Sequence, residues 1–309
     1  MPNFGGAAAL GACLAAVLAG CAPPAEASGT AGDDRPVVLA TFTVLADMAG
    51  VVAGPDARVE SLTGVGTEIH GYEPSPDDLR RAAGADLLLA NGLGLEVWLE
   101  DLVAPLDLPT VVLTEAVDPL PIAGSDHANP HAWMSPRTGA DYAVAIADAL
   151  GDLAPADAAA FDARAQAYAA ELLELHDELT VRLAALPPDQ RLLVTCEGAF
   201  SYLARDAGLD EAYLWPVNAE RQGTPRQVAD VVRRVRDAEV PAVFCESTVS
   251  STAQEQVARE TGARFGGTLY VDSLSGPDGP VPTYLDLLRH DVDVVVAGLT
   301  GAPAGEGDR

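Results

Sequence analysis

Short apolar runs alternate with amphipathic helical patterns along most of this chain, and this alternation restricts the fold more than any other feature. Helical patterns occupy residues 75–84, 224–238 and 251–262. Strands are predicted at residues 37–43, 57–62, 85–90, 110–113, 191–196, 211–215, 241–246 and 267–272. Several of these runs have no polar alternation, as strands buried on both faces require. The pattern predicts an α/β fold of parallel βα units, with helices covering both faces of each sheet.

Residues 156–186 contain no glycine or proline and are dense in Ala, Leu and Glu. They predict one helix of about 30 residues, near 45 Å long at 1.5 Å per residue, which exceeds what a helix covering one α/β lobe requires. We therefore expect two similar parallel-sheet lobes joined by one long linking helix, with the binding site in the cleft between the lobes. The expected segments are an N-terminal lobe at 36–150, the linking helix at 151–189, a C-terminal lobe at 190–300 and a tail at 301–309.

The first residues predict a targeting segment. Residues 7–20 form an uncharged apolar run that is too short to span a bilayer and has the length of a signal-peptide core. The run ends in Leu-Ala-Gly-Cys, which resembles the lipobox of bacterial lipoproteins, although no Lys or Arg precedes it. A buried N-terminal helix is the alternative. We expect a signal peptide at 1–20, a flexible tether at 21–35, and lipid anchoring through Cys21 at the outer face of the cytoplasmic membrane.

The charge balance excludes one class of partner. The chain has 46 Asp and Glu residues against 18 Lys and Arg, a formal net charge of -28. A surface this negative repels phosphate backbones, so broad nucleic-acid binding is excluded. Most of the acidic residues are expected to form a solvated surface.

Four residues occupy loops where a ligand would bind. Ligands of open α/β sheets bind beyond the carboxyl ends of the strands. His70 and His131 each precede a predicted helix, whereas Glu197 follows a predicted strand and Asp272 follows the residues GTLYV of another. Any one of them alone is commonly a hydrogen-bonded structural residue. Two fall in each predicted lobe, however, so a cleft between the lobes would bring all four together.

The chain is similar to the metal-binding lipoproteins of bacterial ABC importers over nearly its whole length after the targeting segment. The motifs that carry the resemblance are HGYEPSPDDL (70–79), NPHAWMSP (129–136), VTCEGAFSYLARDAGL (194–209), NAERQGTP (218–225), FCES (244–247) and YVDSL (270–274). The resemblance implies that the metal ligands are His70, His131, Glu197 and Asp272. It also implies delivery of the metal to the membrane subunits of an ABC permease, and we expect a monomer without enzymatic activity.

The residue at position 197, the third of the four expected ligands, indicates which metal the site prefers. Zinc importers of the family usually carry histidine where this chain has Glu197. Two imidazoles and two carboxylates offer up to six donors, which suits Mn²⁺ best, with Fe²⁺ next, whereas Zn²⁺ in proteins is usually tetrahedral. Zinc importer function is therefore the alternative. A metallohydrolase, which needs an open coordination position and a general base, and an adhesin are less favoured alternatives.

Three further residues lie beside these motifs. Glu246, at the end of a predicted strand, is expected either to orient a metal ligand or to form a helix cap or ion pair. Cys196 and Cys245 each precede a glutamate of the motifs. They either form a disulfide, if their strands are neighbours, or are two small buried thiols, and the sequence favours the thiols.

Overall fold

The computed structural model describes residues 33–122, 126–217 and 224–301. The predicted signal peptide, Cys21, nearly all of the tether and the tail after residue 301 therefore lie outside the described residues. The residues from Arg35 onward cluster as one compact unit.

The N-terminal lobe contains a four-stranded parallel sheet in the order β2-β1-β3-β4. Its strands are β1 (Val37–Ala40), β2 (Arg58–Ser61), β3 (Leu87–Ala90) and β4 (Thr110–Val112). Its helices are α1 (Thr43–Ala53), α2 (Pro76–Ala82) and α3 (Leu99–Val103). The central strands β1 and β3 are apolar and buried on both faces, as their unbroken apolar runs predict. The carboxyl ends of all four strands meet at one edge, from which the loop carrying His70 leaves.

Two long helices follow this sheet, α4 (Pro136–Leu153) and α5 (Ala158–Leu183). The 26 residues of α5 make it about 39 Å long, shorter than the helix of about 30 residues expected from the absence of glycine and proline. It packs against α4, α1 and α9. Its inner side includes Phe161, Leu172 and Leu179, all fully buried. His176 is also buried on this helix.

The C-terminal lobe alternates strands with helices, as predicted. Its elements are β5 (Leu192–Glu197), α6 (Ser201–Ala207), β6 (Asp210–Trp215), α7 (Pro225–Asp237), β7 (Ala242–Glu246), α8 (Thr252–Thr261), β8 (Arg264–Leu269) and α9 (Tyr284–Thr300). Strand β5 pairs in parallel with β6, and β7 pairs in parallel with β8. Within the described residues β5 and β7 share no backbone ladder, so the lobe has two strand pairs side by side where one continuous sheet was expected.

Strand β8 begins three residues earlier than the sequence predicts, at Arg264 rather than Gly267. The glycines at 266 and 267 both lie inside the strand. A Cβ atom on Gly266 would lie 2.4 Å from the ring of Phe244, so glycine is needed where this ring packs across the strand. As a consequence, Asp272 lies three residues beyond the end of β8 instead of directly at a strand end.

The cysteine expectation is also corrected. Cys196 on β5 and Cys245 on β7 form a disulfide, with their Cα atoms 4.9 Å apart. In the described residues these two strands share no backbone ladder. The disulfide therefore links the β5–β6 pair covalently to the β7–β8 pair. In the described part of the chain, no helix is long and apolar enough to cross a membrane.

Candidate metal centre

The structure brings the four predicted residues together. One ligand atom from each of His70, His131, Glu197 and Asp272 lies within 4.8 Å of the others. The Nε2 atoms of the two histidines are 3.1 Å apart. The Glu197 Oε1 atom lies 3.6 Å from His70 Nε2 and 3.5 Å from His131 Nε2, and Asp272 Oδ1 lies 3.9 Å from His70 Nε2. Two nitrogen donors and two carboxylates thus converge on one point between the lobes.

His70 lies in the loop between β2 and α2. The loop ends in a capping box, in which the Ser75 hydroxyl accepts the backbone N–H of Asp78 and the Asp78 carboxylate accepts the N–H of Ser75. The indole N–H of Trp98 donates to the carbonyl of Ile69, next to the histidine. The side chain of His70 keeps 7% of its surface exposed, whereas the other three side chains have none. The histidine therefore marks the solvent side of the centre.

His131 is the residue before a short 3₁₀-helix (Ala132–Met134). The peptide group before His131 is held by Asn91, whose side-chain amide donates to the carbonyl of Pro130 over 2.9 Å. The hydroxyl of Tyr142 in turn donates to the Asn91 side chain. The buried carboxylate of Glu96 accepts the backbone N–H of Asn91 and so fixes the end of β3. The ligand position thus rests on a buried polar network at the edge of the sheet.

Glu197 is the last residue of β5 and is fully buried. Its backbone N–H donates to the carboxylate of Glu246, the last residue of β7, over 3.1 Å. Glu246 therefore contacts the backbone of a proposed ligand. The disulfide lies one residue before each of these glutamates.

Asp272 is fully buried, and the residues on either side of it are bonded to the N-terminal lobe. The indole N–H of Trp133 donates to the carbonyl of Val271 over 3.0 Å. The hydroxyl of Ser273 accepts the backbone N–H of Gly66 over 2.7 Å. Asp272 thus belongs to the C-terminal lobe, but contacts from the other lobe hold its position.

Burial sets the protonation preferences of the centre. It lowers the pKa of His70 to about 4 and holds the pKa of His131 well below its usual range, with the nearby His70 adding to the effect. Both imidazoles are therefore neutral near pH 7, the form in which their nitrogens can bind a metal. Burial also raises the pKa of Glu246 to about 8, and the negative charge of Asp272 contributes.

Three polar residues that support the centre, the buried Asn91 and Asn129 and the partly buried Glu96, were not singled out from the sequence. Their importance depends on contacts with distant segments. Asn129 had a local signal, since it stands two residues before His131 in the motif NPH. A second candidate group, formed by Cys196, Cys245 and Glu246, also lies close enough for metal binding. Its sulfur atoms are bonded to each other in the disulfide, which leaves it without thiolate ligands.

A family model described as ZnuA, zinc-uptake complex component A, periplasmic, matches residues 38–298. The chain belongs to the ZnuA family. This ZnuA-family chain is 48% identical over 266 residues to the iron-binding protein YfeA of Yersinia pestis, which covers 85% of this chain and 86% of the relative. It is 34% identical over 289 residues to the manganese-binding lipoprotein MntA of Halalkalibacterium halodurans, covering 93% of this chain and 96% of the relative.

Among solved structures, the fold matches a Mn-bound periplasmic metal binding protein from Candidatus Liberibacter asiaticus. The TM-score is 0.82 at 35% sequence identity, covering 86% of this chain and all of the other. The two-lobe α/β fold predicted from the sequence is confirmed, as is the resemblance to metal-binding components of ABC importers. This ZnuA-family chain is a substrate-binding protein of a metal ABC transporter, a class that binds and releases its cargo without catalysis. The names of its relatives include zinc, iron and manganese, so membership of the family leaves the metal open.

Proposed function

We propose that this protein captures Mn²⁺ outside the cytoplasmic membrane and delivers it to the membrane subunits of an ABC permease. The metal is held by the Nε2 atoms of His70 and His131 and by the carboxylates of Glu197 and Asp272. The observation that carries the proposal is the convergence of these four donors within 4.8 Å of one another.

The composition of the donor set supports manganese. Two neutral imidazoles supply two nitrogens, and two carboxylates supply two to four oxygens, depending on whether each binds through one oxygen or both. A set this rich in oxygen, with more than four donors available, suits Mn²⁺ better than tetrahedral Zn²⁺. The two carboxylate charges offset the charge of a divalent ion, so the buried site is close to neutral when loaded.

Iron is the second candidate, and one observation favours it. The relative with 48% identity is named an iron-binding protein, and Fe²⁺ accepts the same mixed nitrogen and oxygen ligands. Zinc is the third candidate, because the Irving–Williams order places Zn²⁺ above Mn²⁺ and Fe²⁺ at most sites of this type. Binding of Zn²⁺ in vitro therefore does not identify the physiological cargo.

Anchoring through Cys21 is part of the proposal. Relatives are named lipoproteins, and the lipobox-like end of the apolar run supplies the acceptor cysteine. A diacylglyceryl group carries two acyl chains, which give stable attachment. The variant Cys21→Ala, expressed in a bacterial host, should leave the membrane fraction, whereas the wild-type protein should remain in it.

The ligand assignment is tested with two aspartates of one loop. Asp272→Ala removes a charged donor from the buried site and should lower Mn²⁺ affinity by at least 10-fold. Asp278→Ala removes an exposed carboxylate six residues further along and should leave the affinity unchanged. Calorimetric titration of metal-free protein measures both. Equal Mn²⁺ affinity for the wild type and Asp272→Ala would overturn the four-ligand assignment.

The identity of the cargo needs a separate measurement. Protein purified from its native host, without added metal or chelator, should contain Mn as its main metal by elemental analysis. Competition between Mn²⁺, Fe²⁺ and Zn²⁺ under anaerobic conditions gives the intrinsic preference. Iron as the main metal in protein from cells grown with both metals would replace manganese in the proposal and keep the four ligands.

A further inference from the structure

Asn129 is a buried side chain, 2% exposed, that contacts the ligand-bearing segments of both lobes. Its Oδ1 atom accepts the backbone N–H of His131 over 3.0 Å and lies 2.8 Å from His131 Nδ1. Its Nδ2 atom donates to the Gly198 carbonyl over 2.6 Å and to the Ser201 hydroxyl over 3.1 Å. All the hydrogen-bonding atoms of this amide are therefore engaged.

The partners fix the orientation of the amide. The carbonyl of Gly198 can only accept a hydrogen bond, so the atom that faces it must be the NH₂ group of Asn129. The oxygen of the amide then faces His131, and an amide oxygen carries no proton. The contact with the imidazole consequently requires a proton on Nδ1 of His131.

This tautomer leaves the lone pair of His131 on Nε2. Nε2 is the atom that faces the centre, 3.5 Å from Glu197 Oε1. The hydrogen bond from Nδ1 thus prepares the ring for metal binding, in the way that outer hydrogen bonds commonly orient metal-bound histidines.

The same amide also connects the two lobes beside the metal centre. Gly198 is the residue after Glu197, and Ser201 begins α6 in the C-terminal lobe. The hydroxyl of Tyr202, on the same helix, donates to the backbone carbonyl of Asn129 over 2.8 Å. One planar side chain therefore joins the His131 ring of one lobe to the strand end that carries Glu197 in the other.

We propose that Asn129 is a positioning residue of the metal centre, which fixes the tautomer of His131 and ties this ligand to Glu197. The inference rests on the proposed function, in that its effect is read through metal binding. Loss of the amide should weaken binding by about 10- to 100-fold, the usual effect of removing such a partner. Much of the loss should appear as faster metal dissociation, since the two lobes are then less firmly joined beside the site.

Two variants separate the two roles. Asn129→Ala removes both the acceptor for Nδ1 and the donor to Gly198. Asn129→Asp keeps an oxygen acceptor for Nδ1 but has no N–H for the Gly198 carbonyl. Mn²⁺ should therefore dissociate faster from both variants than from the wild type, whereas the Nδ1-protonated tautomer should be lost only in Asn129→Ala. The control is Gln256→Ala, which removes an exposed amide bonded to Glu260 on α8 and should change neither property.

The measurements are stopped-flow release of Mn²⁺ to a chelator, calorimetric affinity, and ¹⁵N NMR of labelled histidine in metal-free protein at about pH 7.5. An unchanged tautomer in Asn129→Ala, or unchanged affinity and release in both Asn129 variants, would overturn the positioning role. If Asn129→Ala does not fold, Asn129→Asp and Ser201→Ala still test the link between lobes through the release rate. If the wild type binds no divalent metal, the proposed function fails, and the NMR signal of His131 still decides the tautomer.

Discussion

The carboxylate of Glu246 accepts the backbone N–H of Glu197 over 3.1 Å, although no ladder joins the strands that end in these two residues. The side chain thus replaces a backbone partner at the point where β5 delivers a proposed metal ligand. A buried N–H without a partner costs about 1–3 kcal/mol. The contact therefore serves both the stability of the lobe and the position of Glu197.

Replacement of Glu246 should show whether this contact positions the ligand Glu197. Glu246→Gln keeps a carbonyl oxygen for the Glu197 N–H and resembles the protonated acid, so Mn²⁺ affinity should stay close to that of the wild type. Glu246→Ala leaves the N–H without this partner and should reduce affinity by about 10- to 100-fold. Calorimetric titration of both variants checks this, and an affinity equal to wild type in Glu246→Ala would show that the contact does not position the ligand.

The stability of the metal-free protein should fall as pH rises from about 4.5 to 8 on account of Glu246. Its pKa is 4.5 as a free side chain and about 8 in the folded chain. The folded protein thus holds a proton that the unfolded chain has lost, and rising pH favours unfolding in this window. Urea unfolding with a chelator present should show a weaker decline for Glu246→Gln than for the wild type. An unchanged decline in this variant, or the same change in the exposed control Glu100→Gln, would contradict the prediction.

Binding of Mn²⁺ should resist acid further than free histidine would allow. Burial lowers the pKa of His70 from 6.5 to about 4 and lowers that of His131 as well. Protons compete with the metal for these nitrogens only when the pH approaches the lowered values. Affinity measured by chelator competition should therefore change little through the histidines between pH 7.5 and about 5.5 and fall below about pH 5. A midpoint of loss near pH 6.5 would show that the histidines titrate as exposed groups.

Local patterning was sufficient to predict most of the fold. The unbroken apolar runs predict buried parallel strands, and β1, β3, β5 and β7 have this character. The helical patterns predicted to begin at residues 75 and 224 do so, and capping boxes form there at Ser75 and Thr224. The start of β8 was predicted three residues too late, and the glycine at 266 inside this strand is explained only by the Phe244 ring of the neighbouring strand. Local sequence patterns predict a helix or strand correctly where residue propensity and burial agree. They fail where a side chain from another part of the sequence determines the local structure.

The same distinction applies to the centre. His70, His131, Glu197 and Asp272 could be selected from the sequence because each follows a strand or precedes a helix at the binding edge of its lobe. The contacts of Asn129 could not, because they join segments about 70 residues apart. The disulfide could not either, since adjacency of β5 and β7 is a property of strand order, which composition does not specify.

The disulfide between Cys196 and Cys245 should stabilise the folded protein by about 2–4 kcal/mol, as expected for a bond that closes a loop of this size. The two cysteines are 49 residues apart in sequence, and both are buried. Urea unfolding of oxidised protein should show this loss in Cys196→Ala, in Cys245→Ala and in the double variant alike, because removing either sulfur breaks the same bond. Reductant should then destabilise only the wild type. A double variant as stable as the oxidised wild type would show that the bond adds nothing to the packing of β5 against β7.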